Sequence, residues 1–320
     1  MHQLSFDTDT GGARHTRRGS FIDITGRVAV RLLGRDGQDL LQRLSTNDLS
    51  RLGEGGSVQT VLTNEKGRII DVPSVLKLDR DKLLLVGQSE DPHALVQWLD
   101  KFIIMEDART ESATSLFAHF VVFDFDSDVD GLKAETDLEG VWDYVEDWGR
   151  AKLFHFLVDT ALREELANRL AGAGVRQAGL AEFEVFRIKS GIPSSPNELS
   201  DGYNPLEANL RHLISWTKGC YIGQEVIARL DTYKKVQRRL VKLMLKEMPE
   251  ALPRTLFDEN DEAGTLTSAV RLPDGSTCAG LGYVRANLLE IGRTVSFREN
   301  GSQVAAILME EFNRSREDGG

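Results

Sequence analysis

Lys218-Gly219-Cys220-Tyr221-Ile222-Gly223-Gln224-Glu225 sets a cysteine between a lysine and a Gly-Gln-Glu step, in a chain of 320 residues with two cysteines. A thiol reacts as its thiolate, which a nearby cation or the N-terminus of a helix stabilises. Lys218 stands two residues before Cys220 as candidate support for the thiolate, and VIARL after Gly223 has helical spacing, so free N–H groups can face the loop. Residue chemistry alone leaves a functional thiol and a buried structural one equally open. Cys278, between Thr277 and Ala279 near a turn, reads as structural. Arg187 is a second candidate, because an arginine closing an amphipathic segment beside Lys189 and Pro193 can grip a carboxylate through two parallel N–H groups. Asp71 is a third: a lone carboxylate in an apolar strand acts as a general base if burial raises its pKa. The pattern around it, with Asp71 on the face of Ile69, favours an exposed edge position.

Other chemistries are excluded more easily. There is no CxxC, no HExxH and no cluster among the six histidines, so no protein-held metal is expected. Two cysteines suit a reducing compartment. A formal net charge of −11 disfavours nucleic acid, and no apolar run approaches the roughly 20 residues of a membrane span. The start lacks an export signal, and Asp7 and Asp9 argue against a transit peptide, so a cytoplasmic protein is expected before one of an organelle matrix. Nothing in the chain points to an obligate assembly, and a monomer is expected. The charge is uneven: residues 211–242 carry eight Lys or Arg against Glu225 and Asp231, a local excess that suits either a small anionic partner or a solvated face.

These residues must be held by recognisable elements. RVAVRLLG (27–34) reads as a strand, with Asp36 as N-cap of the helix DGQDLLQRLS. SVQTVLT (57–63) and RIIDVPSVLKL (68–78) read as strands joined by the NEKG hairpin, Pro73 marking an edge or bulge. KLLLVG (82–87) is a strand, and PHALVQWLDKF (92–102) a helix with Leu95, Trp98, Leu99 and Phe102 on its core face. LFAHFVVFDF (116–125) and KLFHFLV (152–158) are strands, while 160–174 and the start of 180–193 are helical. From about 236 onward, short β-prone runs alternate with Gly, Pro, Asp and Asn turns, the pattern of a small antiparallel barrel or sandwich.

Four segments together resemble one family. NPLEANLRHLISWTKGCYIGQEVIAR (204–229), EVFRIKSGIP (184–193), LQRLSTNDL (41–49) and TNEKGRIID (63–71) are similar to the glycine-cleavage T-protein (aminomethyltransferase) superfamily. The motif K-G-C-[FY]-x-G-Q-E resembles that of its YgfZ-type branch, folate-binding proteins of iron–sulfur cluster assembly and repair. The resemblance implies an α+β, three-domain arrangement around a central folate cavity, ending in a small antiparallel β-barrel. The boundaries then fall at 1–25 plus 115–233 for a central α+β domain carrying KGCYIGQE, 26–114 for an αβ domain, and 234–320 for the barrel.

The implied ligand is tetrahydrofolate or a derivative. Arg187 matches an arginine that contacts folate in T-proteins, and Asp71, Gln59, Glu207 and Arg229 join it as expected cofactor-binding residues. The glutamate tail of folate gives the basic 211–242 segment a purpose. Cys220 matches the signature cysteine that YgfZ-type proteins need. One departure separates the branches: T-proteins carry Asp-Asp where this chain has Asp71-Val72, and Val72 cannot move a proton. Gln59 likewise replaces a pocket tyrosine. The resemblance therefore implies a tetrahydrofolate-binding accessory protein for iron–sulfur client enzymes, with Cys220 as key thiol, rather than an aminomethyltransferase. The alternative is a folate-dependent one-carbon transferase or demethylase with a different base.

Overall fold

The computed structural model describes residues 19–89, 91–125 and 129–311. After β1 (Ser20–Asp23) come β2 (Ala29–Leu33), α1 (Gly37–Leu44), β3 (Ser57–Gln59), β4 (Leu62–Thr63), β5 (Ile69–Asp71), β6 (Ser74–Asp79), β7 (Lys82–Val86), α2 (Pro92–Asp100) and β8 (Arg109–Ser112). Five of these strands form one sheet in the order β3-β6-β7-β2-β8, while β4 and β5 pair separately. Leu40, Leu41 and Leu44 of α1 and Leu95, Trp98 and Leu99 of α2 bury into one core with Leu32, Leu83 and Leu85.

The sequence pattern reads 57–63 and 68–78 as unbroken strands, but both break at matching places. Pro73 has no N–H for the ladder, so the pairing of Gln59 with Ser74 stops there and resumes as Leu62 with Asp71. The break swings β4, β5 and the NEKG turn out of the sheet as a separate arm. Asn64 closes that turn by accepting N–H bonds from Lys66 and Arg68, each 3.0 Å. Asp36 does occupy the N-cap position, yet its carboxylate accepts from Asp107 N at 2.8 Å instead of capping α1.

A second sheet holds β9 (Phe117–Phe123), β10 (Trp142–Asp147), β11 (Lys152–Asp159) and β12 (Arg176–Gln177) in the order β10-β11-β9-β1-β12. β1 lies antiparallel to β9 and parallel to β12, so the first described strand belongs with residues a hundred positions later. Three helices accompany it: α3 (Val129–Glu135), α4 (Arg163–Gly172) and α5 (Leu180–Ser190), the last closed by Gly191 at φ 72°. α3, β1, β10 and β12, and β8 of the first sheet, are absent from the sequence reading. Residues 191–223 are mostly irregular and lead into α6 (Gln224–Thr232).

The remaining strands, β13 (Arg238–Leu245), β14 (Arg254–Asp258), β15 (Asp261–Arg271), β16 (Cys278–Arg285), β17 (Thr294–Glu299) and β18 (Ser302–Glu311), close a barrel in the order β13-β16-β15-β14-β17-β18. Full closure leaves no sheet edge to protect. Its interior packs Val241, Leu243, Leu256, Leu266, Phe297 and Leu308. Only β14 escapes the run of β-prone segments read from the sequence.

KGCYIGQE fastens the chain before α6 to the end of α1 and to the arm. Lys218 Nζ donates to the carbonyls of Gln42, Ser45 and Asn47 at 2.6–2.7 Å, around the C-terminus of α1 where carbonyls lack helical partners. Ile222 N donates to Arg43 O at 3.1 Å, and Thr63 Oγ1 donates to Ile222 O at 2.6 Å. Gly223 adopts φ 83° against the arm, where a Cβ would stand 2.6 Å from Asn64 O. Gly223→Ala is therefore expected to lower the unfolding free energy by about 1–3 kcal/mol from backbone strain alone. Urea unfolding checks this, and an unchanged midpoint would contradict it.

Candidate functional site

A cleft of about 440 Å³ opens where the two sheets and α5 meet. The β1–β2 connection contributes Ile24 to Arg27, the residues after β7 contribute Gln88 and Ser89, and the end of β10 contributes Glu146 and Trp148. Phe183, Glu184 and Arg187 of α5 and the loop to Ser195 complete the wall. The volume lies within the roughly 300–1,000 Å³ typical of small-molecule sites.

Glu146 is the polar centre of this wall and is fully buried. Its Oε1 accepts from Gln88 Nε2 at 2.9 Å and Ser74 Oγ at 3.4 Å, and its Oε2 accepts from Trp148 Nε1 at 3.2 Å. His155 Nε2 lies 3.4 Å from Oε2. Behind it, His155 Nδ1 and His119 Nε2 are 2.9 Å apart, and Tyr144 stacks on His155 with ring centres 4.5 Å apart. Burial alone would raise the Glu146 pKa, but a charged His155 first, then the field of nearby Arg27 and its hydrogen bonds, would draw it below the usual carboxylate range. Burial depresses both His155 and His119. We therefore assign the ionisation of Glu146 to Arg27 and its hydrogen bonds, with the imidazoles neutral.

Arg187 lies in the cleft wall but is only 3% exposed. Its Nε and Nη2 grip both oxygens of Glu184 at 2.9 and 2.7 Å, and Nη1 donates to Ile192 O at 2.9 Å and Glu198 Oε2 at 3.3 Å. Nη2 also donates to Ser268 Oγ at 3.2 Å. All five N–H groups of a guanidinium are thus committed within the protein. The expected carboxylate clamp is occupied by the chain's own carboxylates.

Asp71 corrects the edge-residue reading. It is buried, because the bend at Pro73 turns it inward against Gly87 and Gln88. Its Oδ1 accepts from Val72 N at 2.7 Å and Gln88 N at 2.8 Å, and Oδ2 has no hydrogen-bond partner among the described residues. Burial raises its pKa. It stands one residue behind the cleft wall. Val72 packs in the core with Val61, Ile69 and Ile188, away from the cleft lining.

The other expected site residues fall elsewhere. Gln59 is buried with neither amide atom hydrogen-bonded among the described residues, and it is not among the cleft-lining residues. Glu207 accepts from Arg68 at 3.2 Å, Arg238 at 3.1 Å and Asn204 N at 3.0 Å, joining the arm to the barrel. Arg229 borders a separate groove of about 350 Å³ along α6 with Glu225 and Lys235. Lys218 is committed to three carbonyls, which removes its protons from any role at Cys220, and burial draws its pKa down to about 8. Cys220 itself is exposed, and neither the cleft nor the α6 groove includes it. Within the basic 211–242 segment, Arg211 pairs with Asp231, Arg238 with Glu207 and Lys242 with Lys189 O.

Sequence reasoning missed Arg27, Glu146 and Trp148. Arg27 is half-buried in the cleft, tied to Gly87 O by Nε at 2.8 Å. The available signal for Glu146 was the alternation in WDYVED, where Tyr144 and Glu146 share the buried face of β10. An acid at an inward strand position needs partners, which is a functional hint.

Comparisons with known proteins agree with this architecture. Residues 6–123 match the family described as the GCVT N-terminal domain. A protein of Arabidopsis thaliana, named as a chloroplastic transferase, is 28% identical over 324 residues, covering 94% of this chain and 74% of that protein. An aminomethyltransferase of Aquifex aeolicus is 26% identical over 299 residues, 87% of this chain and 79% of its own. The crystal structure of the glycine cleavage system aminomethyltransferase T from Bartonella henselae superposes with a TM-score of 0.77 at 19% identity, covering 92% of this chain and 86% of that one. The fold is thus that of the glycine cleavage T-protein, a mixed α/β body ending in a closed six-stranded barrel.

The buried imidazoles give a pH test. His119 and His155 resist protonation when folded, whereas in the unfolded chain they titrate near 6.5. Below that pH the unfolded state takes up protons that the folded state refuses, so stability is lost as pH falls. The expected loss is up to about 1.4 kcal/mol per pH unit per histidine. Unfolding free energies at pH 7.5 and 5.5 check it, and equal values would contradict the neutral pair.

Proposed function

We propose that the cleft binds tetrahydrofolate or a derivative, and that the protein is a cytoplasmic, monomeric accessory factor for iron–sulfur cluster assembly or repair in client enzymes. The observation carrying the ligand reading is the cleft itself, inside a T-protein fold, with Trp148 and Phe183 as aromatic walls and Arg27 as counter-charge. Trp148 and Phe183 offer apolar surface to a fused heteroaromatic ring. Arg27 donates through Nε to Gly87 O, and its Nη groups make no other hydrogen bond among the described residues, which suits a carboxylate of the ligand. Arg27 thereby takes the role that the resemblance assigned to Arg187.

The accessory role is supported by the motif that displays Cys220. Lys218, Ile222 and Gly223 fix the loop on either side of the exposed thiol. A rigid frame around an accessible thiol suits presentation to a partner. The second reading, a one-carbon transferase or demethylase, is favoured by the relatives named aminomethyltransferases. Against transfer by the T-protein route stands Val72, apolar and packed in the core at the position where the resemblance places the catalytic aspartate.

Two experiments test these readings. Calorimetric titration with tetrahydrofolate is expected to show binding that Arg27→Ala weakens at least about tenfold, the scale of one lost charge-assisted hydrogen bond. Absence of binding to the wild-type protein would remove the folate reading, and turnover of methylene- or formyl-tetrahydrofolate would favour the transferase. For the thiol, Cys220→Ala is expected to retain tetrahydrofolate binding yet fail to restore iron–sulfur enzyme activity in a strain lacking the protein. Full restoration would remove Cys220 from the mechanism.

A further inference from the structure

Among the cleft residues, Glu146 makes no ligand-facing bond of its own, because its acceptor capacity is taken by the protein. Its importance lies in what it does to its neighbours. An ionised carboxylate only accepts hydrogen bonds. Gln88 must therefore turn its NH₂ toward Glu146 Oε1, 2.9 Å away, which leaves the amide carbonyl as an acceptor with no partner among the described residues. Trp148 is constrained likewise: its indole N–H points at Glu146 Oε2 at 3.2 Å, fixing the ring that lines the cleft. Gln88 is held a second time through its backbone N–H on Asp71 Oδ1 at 2.8 Å, so only the amide flip remains to be decided.

The cleft then offers a defined set of groups. Gln88 carbonyl and the Glu184 carboxylate accept, while Arg27 donates. We propose that Glu146 is a positioning residue that sets the specificity of the cleft: by dictating the Gln88 amide orientation and the Trp148 ring plane, it selects an amino-substituted heteroaromatic ring whose N–H groups meet Gln88. The inference rests on the folate reading for the identity of the ring, but the positioning itself does not.

The test uses the full chain and Glu146→Gln, which keeps size and removes the charge. A glutamine can donate or accept, so it no longer dictates the flip of Gln88. Without ligand, the Trp148 emission, taken as the difference from Trp148→Phe, is expected to shift in Glu146→Gln. With tetrahydrofolate and its analogue lacking the 2-amino group as probes, the wild-type protein is expected to prefer the amino form about tenfold or more, and Glu146→Gln to lose that preference. Gln88→Met gives a second route should Glu146→Gln fail to fold: it is expected to lose the preference while Trp148 emission stays unchanged. Unaltered emission together with an unaltered preference in the folded Glu146→Gln would overturn the proposal. If the wild-type protein binds neither probe, the folate reading fails. The ligand-free emission then decides positioning alone: a shift upholds it and no shift overturns it.

Discussion

Burying a charge is tolerated only when its hydrogen-bonding capacity is filled, and this constraint organises the molecule. Several contacts between distant segments are closed by ionic groups that are buried or half-buried. Glu198, fully buried, takes Thr267 and Ser268 of the barrel, Ser194 of the 191–223 segment and Arg187 of α5. Glu207 takes Arg68 from the arm and Arg238 from the barrel. Lys218 ties the signature segment to the end of α1. Glu146 ties β6 and the residues after β7 to β10 and Trp148. Removing Arg187 from Glu198 would leave an uncompensated buried charge, which typically costs about 3–5 kcal/mol, so the seating of α5 against the barrel is strongly specified.

The same constraint explains the division of labour between two arginines. Arg187 is saturated at the centre of the Glu184–Glu198 cluster and shapes the wall as a structural element. Arg27 sits at the turn between β1 and β2 with a single backbone anchor, and its field reaches Asp71, Glu146 and both histidines. A cation held by one bond in a cleft can turn to a ligand; one held by five cannot.

Much of the fold was legible because it follows from local pattern. The helices α1, α2, α4 and the strands of the barrel other than β14 appear where apolar spacing and turn residues put them, and the bend at Pro73 was marked by the missing N–H. β10 was not legible: WDYVED carries three acids, and its polar inward residue is tolerated only because Gln88, Ser74 and Trp148 meet it in space. β12 is two residues long and exists through pairing with β1, a contact across more than 150 positions. The site was legible in outline and misread in detail. Asp71 looked like an edge residue since alternation says which face a residue takes, not which face is covered. Lys218 looked like a partner for Cys220 since neighbours in sequence suggest neighbours in space. Its side chain instead satisfies the helix-end carbonyls of a segment 170 positions earlier.

The sequence by itself determined the order of elements, the terminal β-unit, the scarcity of thiols and the signature around Cys220, all properties of residue type and short spacing. Tertiary structure decided which charged groups are committed and which remain available. Lys218, Arg187 and Glu207 are closed off by partners distant in the chain, while Arg27, Glu146 and Trp148 come together in one cleft. The reason is physical: availability for a ligand depends on the full set of hydrogen-bond partners and on burial, and both are fixed by contacts between segments far apart in sequence.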